Sequence, residues 1–173
     1  MNNYGIDIWG DNNFIIEDDV LKINYANKPS LVSIVKDIRK DEKNKGPLTF
    51  RFPHLTIKQI NKLYNTFNSS IKEYNYKGNF NALFPLKVNQ LPNFLHPMLK
   101  DSKDLNYGLE AGSKAELLLA MAYNNPKAPI TINGFKDKDM ITLGFIAKQQ
   151  GHDITLILEG INELETIIEV HNK

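Results

Sequence analysis

Short apolar segments followed by polar residues recur along this chain at intervals of about two dozen residues. Their length and their Gly, Pro and polar boundaries are typical of buried β-strands. The predicted strands are 47–52 (PLTFRF), 81–86 (NALFPL), 105–110 (LNYGLE), 129–133 (PITIN) and 153–159 (DITLILE). The last four strands end on, or directly before, Lys87, Glu110, Asn133 and Glu159, which are 23, 23 and 26 positions apart.

Helical patterns separate these strands. Strands joined by helical crossovers run parallel, so the four polar residues are expected at one carboxyl edge of a single sheet. In α/β proteins that edge is where binding and catalytic sites are built. Four helices are predicted. The first follows Thr56 and has an apolar stripe of Ile60, Leu63, Phe67 and Ile71, and the second begins with the capping box Ser113 and Glu116. The third runs from about Asp137 to near Gly151, and the fourth has Ile161, Leu164 and Ile168 on one face.

Two α/β architectures fit this pattern, a doubly wound sheet and a (β/α)8 barrel, and the periodicity by itself does not choose between them. The sequence has neither a G-x-G-x-x-G dinucleotide motif nor a Walker phosphate loop, which favours the barrel. Four βα units in about 95 residues imply roughly 200 to 250 residues for eight units. We therefore expect the 173-residue chain to hold about half of a barrel.

The charge and the cysteine content narrow the classes of partner and site. Twenty-one basic and twenty acidic residues leave a net charge of +1, so no overall basic field attracts nucleic acid or anionic lipid. The chain has no Cys, which removes disulfides, zinc ribbons and thiol nucleophiles. No leader pattern and no apolar window of membrane-spanning length is present. We expect a cytoplasmic protein without a nucleic-acid or membrane partner.

Lys87 at a strand end is by itself a weak signal, because a lysine in that position is usually a solvated charge. Its predicted neighbours strengthen that signal. Glu110 can hold a proton or exchange one with Lys87, and Asn133 can hydrogen-bond a ligand. Glu116 has a competing structural role as the capping partner of Ser113, so we place it behind the site rather than in it.

Other chemistry-bearing residues have plainer interpretations. The four histidines, at positions 54, 96, 152 and 171, show no metal-ligand spacing. His54 and His96 adjoin prolines and are predicted in turns, and all four are predicted as loop or surface residues. Trp9 is predicted to be a core or interface anchor of an extended N-terminal segment.

Three segments in this order, FPLKVNQ, YGLEAGSKAEL and ITINGFKDKDMITLGFIAKQQGH, resemble the start of the bacterial biosynthetic arginine decarboxylases. The resemblance extends to YGIDIWGDNNF and FRFPHL and covers nearly the whole chain. These decarboxylases are pyridoxal-phosphate (PLP) enzymes of the alanine racemase and ornithine decarboxylase type. The resemblance implies decarboxylation of L-arginine to agmatine and CO2 in polyamine and spermidine biosynthesis, on a PLP-binding (β/α)8 (TIM) barrel.

The resemblance also assigns regions, cofactors and assembly. Residues 1–52 are assigned to an N-terminal extended segment, a candidate part of the family's β-domain. Residues 53–173 are assigned to the first βα units of an incomplete barrel. The implied cofactors are PLP and Mg2+. The implied assembly is a homodimer or a higher homo-oligomer with the site at a subunit interface.

Residue roles follow from the same resemblance. Lys87 matches the lysine that forms the Schiff base with PLP, and Glu110 matches an active-site acid beside it. Asn133 and Glu116 are further candidates for the cofactor site. The family's phosphate-binding loop, its cofactor-stacking histidine, the glutamate that faces the pyridine nitrogen, and the residues from the partner subunit lie beyond residue 173. We therefore expect an N-terminal part that is inactive by itself.

Three alternatives stay open. The parent enzyme can be a decarboxylase for another basic amino acid, for diaminopimelate or for a carboxylated polyamine, because substrate recognition lies mostly outside this stretch. A noncatalytic PLP-binding barrel would retain Lys87 without decarboxylation machinery. A regulatory chain that dimerises with an intact enzyme would have the same sequence features.

Overall fold

The computed structural model describes residues 4–172, which form two compact units. The first unit ends at Arg51 and the second begins at Phe52. The assignment of residues 1–52 to a β-domain and of residues 53–173 to a barrel stays a prediction.

The first unit contains two helices and a hairpin, α1 (Ile6–Trp9), β1 (Phe14–Glu17), β2 (Val20–Ile23) and α2 (Leu31–Ile38). The strands β1 and β2 pair antiparallel. Asp18 and Asp19 between them have φ values of 55° and 58°, which suits a turn whose twist matches that of the flanking strands. The core placement predicted for Trp9 is wrong, because its side chain is 55% exposed on the short helix α1.

The second unit is an α/β arrangement with a four-stranded parallel sheet in sequence order, β3-β4-β5-β6. The parallel sheet and its helical crossovers confirm the α/β prediction. Its elements are α3 (Pro53–Glu73), β3 (Leu83–Pro85), α4 (Pro92–Asp101), a 3-10 turn (Lys103–Leu105), β4 (Gly108–Ala111), α5 (Lys114–Tyr123), β5 (Pro129–Ile132), α6 (Lys138–Gln149), β6 (Asp153–Leu156) and α7 (Ile161–His171).

The core of this unit lies between the sheet and its helices. Side chains from the strand region, such as Leu109 and Ile130, are completely buried. They join Met98 from α4, Leu117 from α5 and Met140 from α6 in one apolar cluster. Because burial of these side chains fixes the sheet against its helices, the loops at the carboxyl ends of the strands start from a rigid base.

One predicted strand is wrong. Residues 47–52, all of which the structure describes, form no strand. A short apolar segment becomes a strand only where another strand pairs with its backbone, and here Phe52 instead precedes Pro53 as the N-cap of α3. The observed β4 also begins three residues later than predicted, because Asn106 has a left-handed φ of 55° that interrupts an extended chain.

Two predicted turns are helical. His96 and Pro97 lie inside α4, and His54 lies in the first turn of α3, directly after Pro53 at the N1 position. Proline at a helix start is favourable because its missing N–H has no intrahelical partner there. Pro97 removes one internal hydrogen bond. Burial of Leu95, Met98 and Leu99 against the rest of the unit favours the helix nonetheless.

The predicted apolar faces of two helices are only partly buried. In α3 the buried residues are Ile60 and Tyr64, whereas Phe67 is 44% exposed. In α7, Ile161 is 80% exposed and Ile168 is 51% exposed. The helices are confirmed, but these burial patterns differ from the predicted ones.

Candidate active site

Three of the predicted site residues meet at the carboxyl ends of neighbouring strands. Lys87 lies two residues after β3, Glu110 lies in β4 and Asn133 directly follows β5. The Lys87 Nζ is 3.8 Å from Glu110 Oε1. The Asn133 Nδ2 donates to Glu110 Oε2 over 3.5 Å, which is a long hydrogen bond. The Glu110 carboxylate thus lies between the amine and the amide.

Strand pairing places these side chains at one level of the sheet. Pro85 lies opposite Glu110 in the β3–β4 ladder. The ladder continues past the strand ends, since the Leu86 N–H donates to the Glu110 carbonyl and the Asn133 N–H donates to the Ala111 carbonyl, both over 3.0 Å. The parallel register therefore determines which residues share this edge.

Exposure differs sharply within the group. The Lys87 side chain is 70% exposed, whereas the Glu110 side chain is 24% exposed. An exposed pair at this distance contributes about 0 to 1 kcal/mol to stability, so the fold does not depend on it. Lys87 is a reachable amine beside a half-buried carboxylate.

Glu116 lies behind this group and joins two of its loops. Its Oε2 accepts the Gly112 N–H at 2.7 Å, and its Oε1 accepts from Gln90 Nε2 at 2.9 Å. Its own N–H donates to Ser113 Oγ over 3.3 Å, as the capping prediction requires. The carboxylate bonds to Gly112 rather than to the backbone N–H of Ser113. Because both oxygens have protein partners, Glu116 is built to hold the loop after β3 against the loop after β4.

A buried ion pair at the same edge escaped the sequence prediction. Lys136, in the loop after β5, has its Nζ 3.1 Å from Glu163 Oε2 in the first turn of α7. The two residues are 4% and 7% exposed. Glu159 is the last of the four polar residues predicted at this edge. It contacts the pair through its backbone N–H, which donates to Glu163 Oε2 at 2.9 Å. Lys136 and Glu163 both follow strands that end at the carboxyl edge, but nothing in the sequence indicates that their charges are buried.

The surroundings of Glu163 keep it ionised. The Glu159 N–H, and after it the Lys136 ammonium, hold the pKa of Glu163 below its ordinary value of 4.5, although burial opposes this shift. A cleft of about 430 Å³ opens beside the pair and is lined in part by Phe135, Lys138 and Asn162. The cleft lies at the β5 and β6 ends of the edge, away from Lys87.

Two other properties concern metals and membranes. Among residues 4–172, no group of three or more His, Cys, Asp or Glu side chains is arranged to hold a metal ion. Over the same residues, no helix has both the length and the apolar character that crossing a membrane requires.

The chain is similar over nearly its whole length to arginine decarboxylases. It is 35% identical over 175 residues to the biosynthetic arginine decarboxylase of Prochlorococcus marinus strain AS9601, which covers 98% of this chain and 27% of that protein. The biosynthetic arginine decarboxylase of Rhodopirellula baltica is 31% identical over 171 residues, which covers 96% of this chain and 26% of that protein. No family model matches the chain.

A solved structure has the same fold. The crystal structure of the biosynthetic arginine decarboxylase SpeA from Campylobacter jejuni matches with a TM-score of 0.93 and 59% sequence identity. The match covers 99% of this chain and 29% of that one. This chain therefore spans about a quarter of the length of the curated relatives that it matches, each about 27% covered.

Proposed function

We propose, from the confirmed resemblance of this chain to the N-terminal part of the biosynthetic arginine decarboxylases, that it forms that part of a PLP-dependent enzyme. The proposed reaction converts L-arginine to agmatine and CO2. The observation that carries the proposal is similarity over 98% of the chain to one such enzyme, supported by 59% identity to the SpeA structure.

The strand order supports the proposal that the sheet is the first half of a PLP-binding barrel. Four parallel strands lie side by side in sequence order. In a barrel every strand lies beside the strand that precedes it in the sequence. In a doubly wound sheet the order of the strands reverses at a switch point, where ligands bind. The candidate residues here instead span three consecutive strand ends without a reversal.

Lys87 is the residue that we propose to hold PLP. A lysine amine can form a covalent link to an aldehyde, and the Lys87 side chain is 70% exposed at the sheet edge where such sites are built. When bound, PLP supplies the sink for the electrons that remain when the substrate carboxylate departs as CO2. Asn133 would steady the Glu110 carboxylate, and Glu110 would hold or return a proton at Lys87 Nζ, 3.8 Å away.

Other features of the family belong to the same proposal. They are a requirement for Mg2+, a homodimer or higher oligomer with the site at a subunit interface, and a cytoplasmic location. No residue of the described chain is proposed as a Mg2+ ligand, because residues 4–172 contain no suitable cluster. Glu116 is proposed to support the cofactor site through the loop that carries Lys87.

The test is chemical trapping in the complete enzyme. Borohydride reduction followed by peptide mapping should place the pyridoxyl group on Lys87. Lys87→Ala and Lys87→Arg should both lose bound PLP absorbance and CO2 release, since a guanidinium stays protonated and cannot replace the amine. Lys127→Ala, which alters an exposed lysine at the opposite end of β5, is the matched control and should retain both.

Each contrary result points elsewhere. A pyridoxyl label on a different lysine would remove the assignment of Lys87. Labelled Lys87 without CO2 release from arginine would favour another basic substrate, tested with ornithine, lysine and diaminopimelate, or a noncatalytic PLP-binding barrel.

A further inference from the structure

The ion pair of Lys136 and Glu163, called here the anchoring pair, is an unusual feature of the sheet edge. The Lys136 side chain has no exposed surface and the Glu163 side chain is 9% exposed. Removing two charges from water offsets much of their mutual attraction, so such pairs are weak stabilisers of a fold. Stability alone therefore does not explain the pair. Its contacts indicate a second role, in positioning the neighbouring loop.

The contacts of Lys136 lead to the candidate active site. Its Nζ donates to the carbonyl of Gly134 as well as pairing with Glu163. The Gly134 N–H in turn donates to Asn133 Oδ1 at 2.9 Å. With Oδ1 engaged in this way, the Nδ2 of Asn133 faces Glu110 Oε2 at 3.5 Å.

The turn at Gly134 has little freedom of its own. Gly134 has a φ of +87°, which strains any residue with a side chain. A Cβ placed on it would lie 3.3 Å from the Gly112 carbonyl oxygen in the loop after β4. The turn is thus confined on one side by Gly112 and tied on the other by Lys136.

We propose that the anchoring pair is a positioning device for Asn133, and through Asn133 for the Glu110 carboxylate beside Lys87. Its role in catalysis rests on the proposed function, whereas the positioning itself does not. Lys136 is not a second amine for PLP, because its Nζ is enclosed and has two protein partners. Glu163, in the first turn of α7, holds the ammonium in place, so the pair links the loop after β5 to the start of α7.

The test uses the complete enzyme and a matched pair of double variants. Lys136→Met with Glu163→Gln removes both buried charges and leaves no unpaired ion. Lys138→Met with Glu169→Gln makes the same changes in a pair of 2.7 Å that is 58% and 45% exposed, on α6 and α7. Melting temperature and circular dichroism establish that each variant is folded.

The first readout needs no bound PLP. In the enzyme stripped of PLP, mass spectrometry measures the rate at which a small amine-reactive reagent modifies Lys87. A carboxylate that is no longer steadied by Asn133 spends less time beside the ammonium, so labelling should accelerate. The expected change is about twofold to fivefold, the scale of one exposed ion pair. The control variant should label at the wild-type rate, and kcat of the loaded enzyme should fall only in the first variant.

A double-mutant cycle with Asn133→Ala separates positioning from a general structural effect. If the anchoring pair acts through Asn133, the combined variant should label Lys87 no faster than Asn133→Ala alone. Unchanged labelling in the Lys136→Met/Glu163→Gln variant, or effects that simply multiply in the combined variant, would overturn the proposal.

A milder variant keeps the test decisive if the double variant does not fold. Glu163→Gln alone retains an oxygen for the Glu159 N–H and for Lys136, and it should change labelling in the same direction by a smaller factor. Its cycle with Asn133→Ala then decides. Failure of the proposed function would be seen separately, as wild-type enzyme that carries no PLP on Lys87, while the labelling cycle would still be interpretable.

Discussion

Replacing Glu116 with alanine should loosen the two loops that carry Lys87 and Gly112. The carboxylate accepts one backbone and one side-chain hydrogen bond, at 2.7 and 2.9 Å. A hydrogen bond to a charged group is worth about 1.5 to 3 kcal/mol net. Water can reach part of the vacated space at this loop edge, so we expect a loss of about 2 to 4 kcal/mol rather than the full sum.

Glu116→Gln provides a graded comparison. Its single carbonyl oxygen can replace only one of the two carboxylate acceptors, and its NH2 group faces a donor at the other position. We therefore expect about half of the loss seen with alanine, roughly 1 to 2 kcal/mol. Glu165→Ala, at an exposed position of α7, is the control for removing a glutamate from a helix.

Hydrogen exchange is the suitable assay, because it reports the free energy of local opening in a large protein whose global unfolding need not be two-state. Peptides that cover residues 83–91 and 108–117 should lose protection in Glu116→Ala, and the rest of the sheet should not. Protection equal to that of the Glu165→Ala control would refute the inference that Glu116 holds the two loops together. Unchanged protection together with lost PLP binding would assign Glu116 directly to the cofactor site.

Three further predictions concern stability. Asp137→Ala removes the N-cap hydrogen bond of α6, whose length is 2.9 Å, and should lower the free energy of local opening of α6 by about 1 to 2 kcal/mol in hydrogen exchange. Asp139→Ala, at an 85% exposed position, should change it by at most about 0.5 kcal/mol. Gly108→Ala places a Cβ against the carbonyl oxygen of β5 and should cost about 3 kcal/mol or abolish soluble expression, while Gly46→Ala, with no atom within 4 Å of the new Cβ, should be neutral in yield and melting temperature. The pKa of Glu163 is held below 4.5, mainly by a backbone N–H and then by its lysine partner, so its ionised form stabilises the fold above that pH and this contribution fades as the pH falls through the lowered value. The urea midpoints of wild type and Glu163→Gln should therefore converge below about pH 4.5, and a constant gap would contradict this.

The grouping of Lys87, Glu110 and Asn133 could be predicted because it needs only the direction of the strands. Once the helical crossovers make the strands parallel, residues that follow them must share an edge. The exact strand limits do not matter for this inference, and the strands are indeed shorter than predicted. Local boundaries failed where a single residue decides them, as Asn106 does before β4.

Features that depend on tertiary partners could not be obtained in the same way. The segment 47–52 has a strand-like composition, but no pattern within it reports whether another strand lies alongside. Two prolines in the segment of α4 argue against a helix in the sequence. The helix forms because Leu95 and its neighbours are buried, which the sequence does not report. Lys136 and Glu163 look like ordinary charged residues, since burial of a charge becomes visible only when the packing around it is known.

The structure around Lys87 combines a fixed backbone with an exposed side chain. Leu86, directly before it, is completely buried and donates its N–H to the Glu110 carbonyl over 3.0 Å. The Val88 N–H donates to the Pro85 carbonyl over 3.0 Å, and the loop beyond is tied down by Glu116 through Gln90. The Lys87 side chain is 70% exposed, and its Nζ forms a weak ion pair with Glu110. This arrangement suits the proposed role of Lys87 as the residue that holds PLP, because a strongly paired amine would form a covalent link to an aldehyde less readily.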